Sequence, residues 1–361
     1  MTVVGSRVPA IARATQILEW VARSSSAPGV TELAAQLGLP KSSVFNLCAS
    51  LVDERLLLRG ADGSFRLGPR AYELASAASH HDVATVLVGV TVQNASNPFF
   101  AAEIRAAEEE AAASGVRISA THADGDWRQQ DAQIRRWADA GAKMLVVDPI
   151  DSHSLAAAAD YAHARGVSLV AINAAATNFD AAVTTDNAHA GLLAGEHMVR
   201  MFPRGARIAV IGGTQVTAIA DRIDGFRRAI DGRTGFEIVA EVVGDNTESA
   251  GERLATEVLD HHHVDAFFAI NDLTAIGVAR AISAGGQTIP VIGVDGSARA
   301  VAAIRAGESI VATVTQDPTA LGRAGVRLGL ELLSGRRPRN RTVQLPTRLI
   351  TASNLDTYTP W

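Results

Sequence analysis

From residue 85 onward, the chain alternates between short apolar runs and segments in which apolar residues recur with a helical period. Each apolar run has the length of one buried parallel strand. The nine runs are Val86–Val92, Val116–Thr121, Met144–Asp148, Ser168–Ile172, Arg207–Ile211, Glu237–Val243, Ala266–Ile270, Pro290–Val294 and Val311–Val314. Helical segments such as Ala101–Ala113, Gln129–Ala140 and Ser152–Ala164 fit between nearly every pair. This alternation predicts parallel sheets flanked by helices. More than eight strands indicate two sheets, hence two lobes with a cleft.

The first run lies in the segment Thr85–Phe100, TVLVGVTVQNASNPFF. A loop of short polar residues follows the strand, and Pro98 then suits a helix start because its missing N–H is not needed in the first turn. Asn97, Phe99 and Phe100 therefore stand at the carboxyl end of a strand, where open α/β sheets bind ligands. Amides that bond hydroxyls, beside rings that pack on C–H faces, suit a neutral polyhydroxyl ligand. The alternative is that Asn97 only caps the helix and the two phenylalanines only enter the core.

Polar residues gather again where later strands end. They are Asn173, Asn271, Asp272, Asp295 and Gln316, and a helix adds Asp221 and Arg222. Several amides with an acid and an arginine facing one cleft would satisfy a ring of hydroxyls. Asp272 precedes a helix and is predicted to cap it. Asn271 and Asp295 could also be caps, but their repetition at strand ends favours a site.

The first 76 residues follow a different pattern. Apolar positions over residues 8–24 have a helical period, and Thr31 is predicted to cap a short helix that Gly38 ends. A further helix runs from Lys41 to about Glu54, and alternating residues around Asp62-Gly63 predict a hairpin. Helix, helix-turn-helix and hairpin together predict a winged helix-turn-helix, which places its second helix in the DNA major groove.

Length, charge and cysteine content fit this division. A chain of 361 residues is too long for one core. Residues 1–79 hold eight Lys/Arg and six Asp/Glu, a balance of +2, whereas the remainder holds 33 − 8 = 25 basic and 38 − 6 = 32 acidic residues, a balance of −7. A mildly basic head on an acidic body permits DNA binding by the head. The single Cys48 allows no internal disulfide, and no signal peptide or membrane span is predicted, so the expected location is cytoplasmic.

The head resembles the DNA-binding domain of IclR-type regulators. The resemblance rests on three blocks that match in order and spacing: RATQILEWVA, VTELAAQLGLPKSSV and LVDERLLLRGADGSFRLG. It implies DNA-facing residues on the second helix and on the wing. These are Lys41, Ser42, Ser43, Asn46, Arg59 and Arg66. Family members usually carry a basic residue at Asn46 and a polar or aromatic-polar one at Phe45, so the head departs from the pattern there. The alternative is a degenerate domain used only for dimerisation.

Residues 85–355 resemble the type I periplasmic sugar-binding fold, closest to ribose-binding proteins and the effector domains of LacI-type repressors. The matching pieces are NASNPFF, TTDN, ADRIDGF, FFAINDLTAIG, VIGVDGS, VATVTQDP and QLPTRLI. Carried over by position, the resemblance implies eight ligand-binding residues: Asn97, Phe99, Phe100, Asn173, Arg222, Asn271, Asp295 and Gln316. Ribose-type proteins have an acid-Arg pair at Asn173-Ala174 and an aromatic residue at Asn246. These departures leave a sugar or a polyol as the expected ligand class.

Together these patterns predict a multidomain chain: an α+β winged helix-turn-helix head and an α/β two-lobed periplasmic-binding-protein fold with two parallel sheets. The expected bounds are a head over 1–76, a linker over 77–84 and a ligand-binding domain over 85–361. Lobe 1 is expected over about 85–187 and 317–345, and lobe 2 over about 188–316 and 346–361. The resemblance implies chain crossings between the lobes near Asp186–Ala188, Gln316–Pro318 and Leu345–Pro346, around which the lobes would close.

No catalytic motif is found, and neither a metal nor a cofactor is expected. His80-His81-Asp82 and Asp260-His261-His262-His263 are interpreted as solvated segments. The leading hypothesis is a DNA-binding transcriptional regulator, a homodimer or tetramer, whose grip on a double-stranded operator responds to a small sugar or polyol. The competing class is a solute-binding protein of a sugar transporter with an amino-terminal extension, and an enzyme comes third.

Overall fold

The computed structural model describes residues 9–24, 27–60, 62–72, 88–335 and 341–361. The chain divides into two compact units, Met1–Asp82 and Val83–Trp361, and each is described by itself. The expected linker over 77–84 and the His80-His81-Asp82 segment lie outside the described residues.

A helical segment begins at residue 69, and before it the described residues of the first unit form three helices of eight residues or more and a two-stranded hairpin. Their bounds are α1 Pro9–Arg23, α2 Val30–Leu37, α3 Lys41–Asp53, β1 Leu57–Arg59 and β2 Phe65–Leu67. β1 and β2 pair antiparallel, and Asp62 Oδ1 accepts hydrogen bonds from the backbone N–H and the hydroxyl of Ser64 in the turn. Apolar residues from all three helices and both strands form one core. Its buried members are Ile17, Val21, Leu33, Ala34, Val44, Cys48, Leu51, Leu57 and Phe65.

The start of α2 differs from the sequence prediction. Thr31 lies inside the helix, and the N-cap is Gly29, which has an extended backbone and makes no side-chain cap. Gly29 is held extended because it bridges antiparallel to Ser64, beside the wing. The helix therefore begins one residue after that bridge. Its end is as expected, since Gly38 has a φ of 62° and donates its N–H to the carbonyl of Ala34.

The described residues of the second unit form two six-stranded sheets with helices between most successive strands, as the alternating pattern predicts. In lobe 1 the elements are β3 Val88–Val92, α4 Pro98–Ala113, β4 Ile118–His122, α5 Trp127–Asp139, β5 Met144–Val147, α6 Ala156–His163, β6 Ser168–Asn173 and β7 Ala181–Thr185. In lobe 2 they are α7 Asn187–Met201, β8 Arg207–Gly212, α8 Thr217–Ile230, β9 Glu237–Val243, α9 Glu248–His261, β10 Ala266–Ala269, α10 Asp272–Ala284, β11 Val291–Asp295, α11 Ala298–Ala306 and β12 Ile310–Thr315. The chain then adds α12 Pro318–Leu333, β13 Thr342–Leu345, β14 Leu349–Thr351 and a 3-10 turn at Leu355–Thr357.

The sheet order shows where the chain passes between the lobes. The first sheet has the order β13-β7-β6-β5-β3-β4 and is wholly parallel, and the second has the order β14-β12-β11-β10-β8-β9, with only β14 antiparallel. The chain leaves the first sheet after Thr185, leaves the second after Thr315, and passes between them again after Leu345. These passages fall in the three segments named above as crossings. Closure of the lobes around them stays a prediction.

Three strands were not anticipated. β7 consists of small residues, AAVTT, and β13 and β14 have only four and three residues. β13 is an exposed edge strand without an apolar run. These segments are strands because each pairs with a neighbouring strand. Their own hydrophobic pattern does not predict a strand.

Candidate functional site

A cavity of about 160 Å³ lies between the carboxyl ends of the strands of the two sheets. At roughly 30 Å³ per water molecule, this volume holds one small organic molecule. All eight residues expected to bind ligand line it: Asn97, Phe99, Phe100, Asn173, Arg222, Asn271, Asp295 and Gln316. Gln93, Asn94, Asp245 and Asn246 are further polar residues of the lining. Their role as ligand contacts remains a prediction.

In the Asn97–Phe100 segment, the structure shows the helix cap and the core packing of the alternative reading, while ligand binding stays a prediction. Asn97 is the N-cap of α4, and its Oδ1 accepts the backbone N–H of Phe99 at 2.9 Å. The rings of Phe99 and Phe100 are buried in the lobe 1 core and meet edge-to-face, with centroids 5.7 Å apart. All three residues nevertheless line the cavity. Capping uses the Asn97 oxygen, so its NH₂ group is what Asn97 offers to a ligand.

Asn173 ends β6 with a φ of 66°, a left-handed backbone that asparagine tolerates better than most residues. Its Nδ2 donates to Asp148 Oδ2 at 3.1 Å. Its Oδ1 is buried and has no partner among the described residues. The residue lines the cavity. Asn173 therefore offers an acceptor to whatever occupies the space.

Asp148, which follows β5, is a buried residue that the sequence reasoning placed only in a strand. Besides the Asn173 amide, it accepts Gln93 Nε2 at 2.8 Å. Glu103 from α4 is also fully buried beside it. Burial raises the pKa of Glu103 well above its usual value, and the Asp148 charge adds to this. Burial likewise raises the pKa of Asp148, to about 7, against the opposing effect of the hydrogen bonds from Gln93, Glu103 and Asn173.

The lining residues form two groups. We call Gln93, Asn97, Asn173, Phe99 and Phe100 the first wall, and Arg222, Asn271, Asp295 and Gln316 the second wall.

Arg222, on α8, is 4% exposed. Its Nε donates to Asn187 Oδ1 and its Nη1 to the carbonyl of Ile270, both at 2.8 Å. Burial lowers the pKa of this arginine, and the charges of Asp295, Asp272 and Asp148 oppose that effect. The guanidinium is thus fixed on two sides, with its remaining N–H groups left for other acceptors.

Close packing of α7 against α8 sets the position of Arg222. A Cβ on Gly191 would lie 1.9 Å from the carbonyl oxygen of Arg222, and a Cβ on Gly225 would lie 2.0 Å from that of Ala188. Both positions require glycine because a side chain would separate the helices.

Asp295 and Gln316 form one hydrogen-bonded unit in the second wall. Gln316 Nε2 donates to Asp295 Oδ1 at 2.7 Å, and Gln316 Oε1 accepts the hydroxyl of Thr185 at 2.9 Å. Thr185 ends β7, so this chain of hydrogen bonds reaches from one sheet to the other. Burial raises the pKa of Asp295 to about 6, and the charge of Arg222 limits the rise.

The cap of α10 differs from the sequence prediction. Asn271 is the N-cap, because its Oδ1 accepts the N–H of Thr274 at 2.9 Å, and Asp272 is the first helical residue. Asp272 instead accepts the N–H of Ser297 and the hydroxyl of Thr313, both at 2.7 Å. Burial and the neighbouring Asp295 raise the pKa of Asp272 to about 8. These two hydrogen bonds connect the start of α10 to β12 and to the segment after β11, behind the second wall.

Two further residues complete the surroundings of the cavity. Asn246, at the expected aromatic position, bonds Thr214 through both amide atoms, at 2.9 and 3.1 Å, and so joins two loops. Trp361 contacts both walls. Its ring meets that of Phe99 edge-to-face at 5.3 Å, and its Nε1 donates to the carbonyl of Asp295 at 3.0 Å. No local sequence signal marks Trp361, since both contacts are distant along the chain.

The residues expected to face DNA lie on α3 and the hairpin. Lys41, Ser42, Asn46, Arg59 and Arg66 are exposed, and Ser43 is half-buried. Phe45 is 45% exposed on the same helix, and the Arg59 guanidinium lies 5.7 Å from its ring centroid. Phe45, where the head departs from the IclR pattern, is thus an exposed aromatic side chain beside the residues expected to face DNA. Cys48 is buried, as expected, and burial raises its thiol pKa to about 11.

The family model described as "Periplasmic binding protein domain" matches residues 88–337 of the chain. The chain belongs to the periplasmic binding protein family. A second family model, the IclR helix-turn-helix domain, matches residues 10–60. This periplasmic binding protein domain therefore follows an IclR-type head, and the expected fold class and domain fusion are confirmed.

Relatives of the periplasmic binding protein domain include the ribose import binding protein of Bacillus subtilis, 28% identical over 268 residues, covering 73% of this chain and 87% of the relative. The Caulobacter myo-inositol binding protein bound to myo-inositol is 30% identical with a TM-score of 0.71, over 75% of this chain and 95% of that one. A solute binding protein of Mycobacterium smegmatis with bound glycerol is 28% identical with a TM-score of 0.70, over 75% and 96%.

Within the described ranges, His, Cys, Asp and Glu form no group of three that could hold a metal ion. Nor does any helix in those ranges combine the length and apolar character that crossing a membrane requires.

Proposed function

We propose that this protein is a DNA-binding transcriptional regulator whose operator binding is controlled by a small sugar or polyol in the cavity. The observation that carries the proposal is the cavity itself: amides, one arginine and an aspartate converge on it beside two aromatic rings, within a chain that also carries an IclR-type head. Binding proceeds without turnover, since the relatives named above are binding proteins.

A neutral polyhydroxyl ligand suits the polar groups that face the cavity. Asn173 offers an acceptor, Asn97 and Arg222 offer donors, and the Asp295 carboxylate offers acceptors. Hydroxyl groups can act as donor and acceptor at once, so a ring of them can satisfy such a mixture. Relatives named for ribose and myo-inositol support the same class.

The proposed partner of the head is a double-stranded DNA operator. A helix-turn-helix unit contacts few base pairs alone, so a homodimer or tetramer on paired half-sites in the cytoplasm is the expected form. For the ligand to regulate, it must bind one conformation of the ligand-binding domain more tightly than the other. Closure of lobes 1 and 2 around the cavity is the conformational change that we propose.

A second candidate is a solute-binding protein of a sugar transporter, favoured by relatives that are import binding proteins. The two candidates differ in one measurable property. A regulator binds DNA from its own upstream region and changes that affinity with ligand, whereas an import protein does not.

The test is fluorescence anisotropy with labelled DNA from the upstream region at low salt. Titrations are run with and without myo-inositol, D-ribose, D-allose and glycerol, and binding of each compound is measured by calorimetry. We expect DNA binding that one compound shifts by fivefold or more, on the order of 1 kcal/mol of coupling. Absence of specific DNA binding contradicts the regulator proposal.

Two variants separate the two functions. Asp295→Ala removes a buried acceptor and is expected to weaken polyol binding by about 1–3 kcal/mol while DNA affinity without ligand is kept. Asn46→Ala is expected to relax sequence preference in DNA and leave polyol binding unchanged. A uniform loss across DNA sequences would instead assign Asn46 to a backbone contact.

A further inference from the structure

The first wall contains an amide whose orientation is fixed from behind. Asp148 accepts the Nδ2 of Asn173 through one carboxylate oxygen and the Nε2 of Gln93 through the other. Gln93 Nε2 also donates to the carbonyl of Pro149 at 3.2 Å. Turning the Asn173 amide over would place its oxygen against a carboxylate oxygen. Because Nδ2 is engaged by Asp148, the oxygen is the atom that this cavity-lining amide leaves for a ligand, and it is buried without a partner among the described residues.

Glu103 is a close neighbour of Asp148. Neither carboxyl oxygen of Glu103 receives a hydrogen bond from a donor in the described structure, and the side chain is fully buried. An ionised carboxylate without donors is strongly disfavoured in such a place. A proton on Glu103, donated to Asp148, gives one Glu103 oxygen a partner, removes the charge from Glu103 and leaves the negative charge on Asp148. The raised pKa of Glu103 agrees with this arrangement.

We propose that the Glu103–Asp148 pair determines specificity by fixing Asn173 as an acceptor, so that the first wall selects a hydroxyl or ammonium group and rejects carboxylate and phosphate. This inference rests on the proposed function, because it names the chemistry of the ligand in the same cavity. Asp148 and Glu103 act as positioning residues.

The charges around the cavity support the same selection. Arg222 is the basic residue of the described lining, and Asp295 and Asp245 are its acidic residues. Two of the Arg222 nitrogens already donate to Asn187 and Ile270. The lining thus has no surplus positive charge to balance an anion. Together with the Asn173 oxygen, it favours neutral or cationic ligands.

The test exchanges the side chains of the hydrogen-bonded partners Asp148 and Asn173. In Asp148→Asn, the new NH₂ group must face one of the amides that donated to Asp148, and in Asn173→Asp an extra carboxyl meets the buried pair. Each single variant is expected to weaken myo-inositol or D-ribose binding by about 10- to 100-fold, as for a broken hydrogen bond to a charged group. In the double variant, the amide introduced at position 148 donates to the carboxylate introduced at position 173, whose other oxygen faces the cavity. Affinity should return to within about threefold of the original protein.

The matched control lies in the same lobe. Asn178 also has a left-handed φ, of 64°, and its Nδ2 donates to Asp160 Oδ1 at 2.8 Å, but both residues are exposed. Asp160→Asn and Asn178→Asp, singly and together, should leave affinity unchanged. Glu103→Gln, which keeps a donor toward Asp148, should bind within a few-fold of the original protein, whereas Glu103→Leu should not.

Two further measurements complete the test. Calorimetry compares myo-inositol with myo-inositol 1-phosphate and D-ribose with D-ribose 5-phosphate, and the phosphates are expected to bind at least a hundredfold more weakly. Infrared spectroscopy of the ligand-free protein should show a protonated carboxyl band that Glu103→Gln removes.

Three outcomes would overturn this inference: the double variant fails to restore binding, the phosphates bind tightly, or that band is absent. If the original protein binds none of the neutral compounds while the band is present, the proposed function fails instead.

Discussion

The two walls of the cavity are built alike and balance their buried charge differently. Each includes polar residues that follow or end parallel strands, and each has a buried carboxyl group behind it, Asp148 in the first wall and Asp272 in the second. The second wall sets a fixed cation, Arg222, near Asp272 and Asp295. The first wall contains no arginine or lysine among its residues, and we propose that Glu103 and Asp148 behind it hold a single proton instead. Equivalent positions in one fold can thus be stabilised by a charge or by a proton.

Removing the cation should have the largest effect. In Arg222→Leu, Asp295 loses the positive charge that limits its pKa, and Asn187 Oδ1 loses its donor. Breaking a buried charge pair from one side destabilises a protein by about 3–5 kcal/mol. We expect a loss of this size in urea unfolding of the ligand-binding domain, together with loss of polyol binding.

Arg228→Leu is the matched control, because Arg228 is exposed on the same helix. It should change the free energy of unfolding by no more than about 0.5 kcal/mol. Similar losses in the two variants would mean that a general property of α8 stabilises the domain, and that the cation in the second wall does not.

The proton in the first wall should appear as a pH dependence of stability. Carboxyl groups in the unfolded chain titrate near pH 4, whereas burial raises the pKa of Glu103 well above that value and the pKa of Asp148 to about 7. The native protein therefore binds more protons than the unfolded chain between these values. The free energy of unfolding then falls as pH rises, by about 1.4 kcal/mol per pH unit for the one proton that the pair holds.

Glu103→Gln should flatten this dependence between pH 5 and pH 8, because the amide does not titrate. Urea unfolding at several pH values measures the slope. Glu108, exposed on the same helix, provides the control Glu108→Gln, which should keep the original slope. An unchanged slope in Glu103→Gln would show that Glu103 is ionised at neutral pH.

The difference between the walls also marks what could be predicted from the sequence. Strands whose apolar runs are buried and the polar residues that follow them were predictable, and the family resemblance placed eight residues on one cavity. Asp148 was predictable in principle, because it follows the apolar run of β5 as Asp295 follows that of β11. Glu103 also left a signal: it stands four residues after Phe99 and three after Phe100, on the apolar face of α4.

Contacts between distant segments left no such signal. Thr185 and Gln316 are 131 residues apart, and Trp361 reaches both Phe99 and Asp295. Such pairs depend on how the two sheets face one another, which a pattern with a period of two or 3.6 residues does not encode. The prediction that Asp272 caps α10 was wrong for a related reason. Asp272 finds its partners, Ser297 and Thr313, on neighbouring strand ends of the same sheet.

The smallest predicted effect concerns the side chain that touches both walls. Trp361→Phe keeps an aromatic ring against Phe99 and removes the Nε1 hydrogen bond to the Asp295 carbonyl. A single hydrogen bond of this kind contributes about 0.5–1.5 kcal/mol, so polyol affinity measured by calorimetry should fall by about two- to tenfold. Trp127→Phe, at a half-buried residue outside the cavity lining, should leave the affinity unchanged. If Trp361→Phe binds as the original protein does while Trp361→Ala binds weakly, the ring contact with the first wall is what matters, and the two walls are not coupled through this residue.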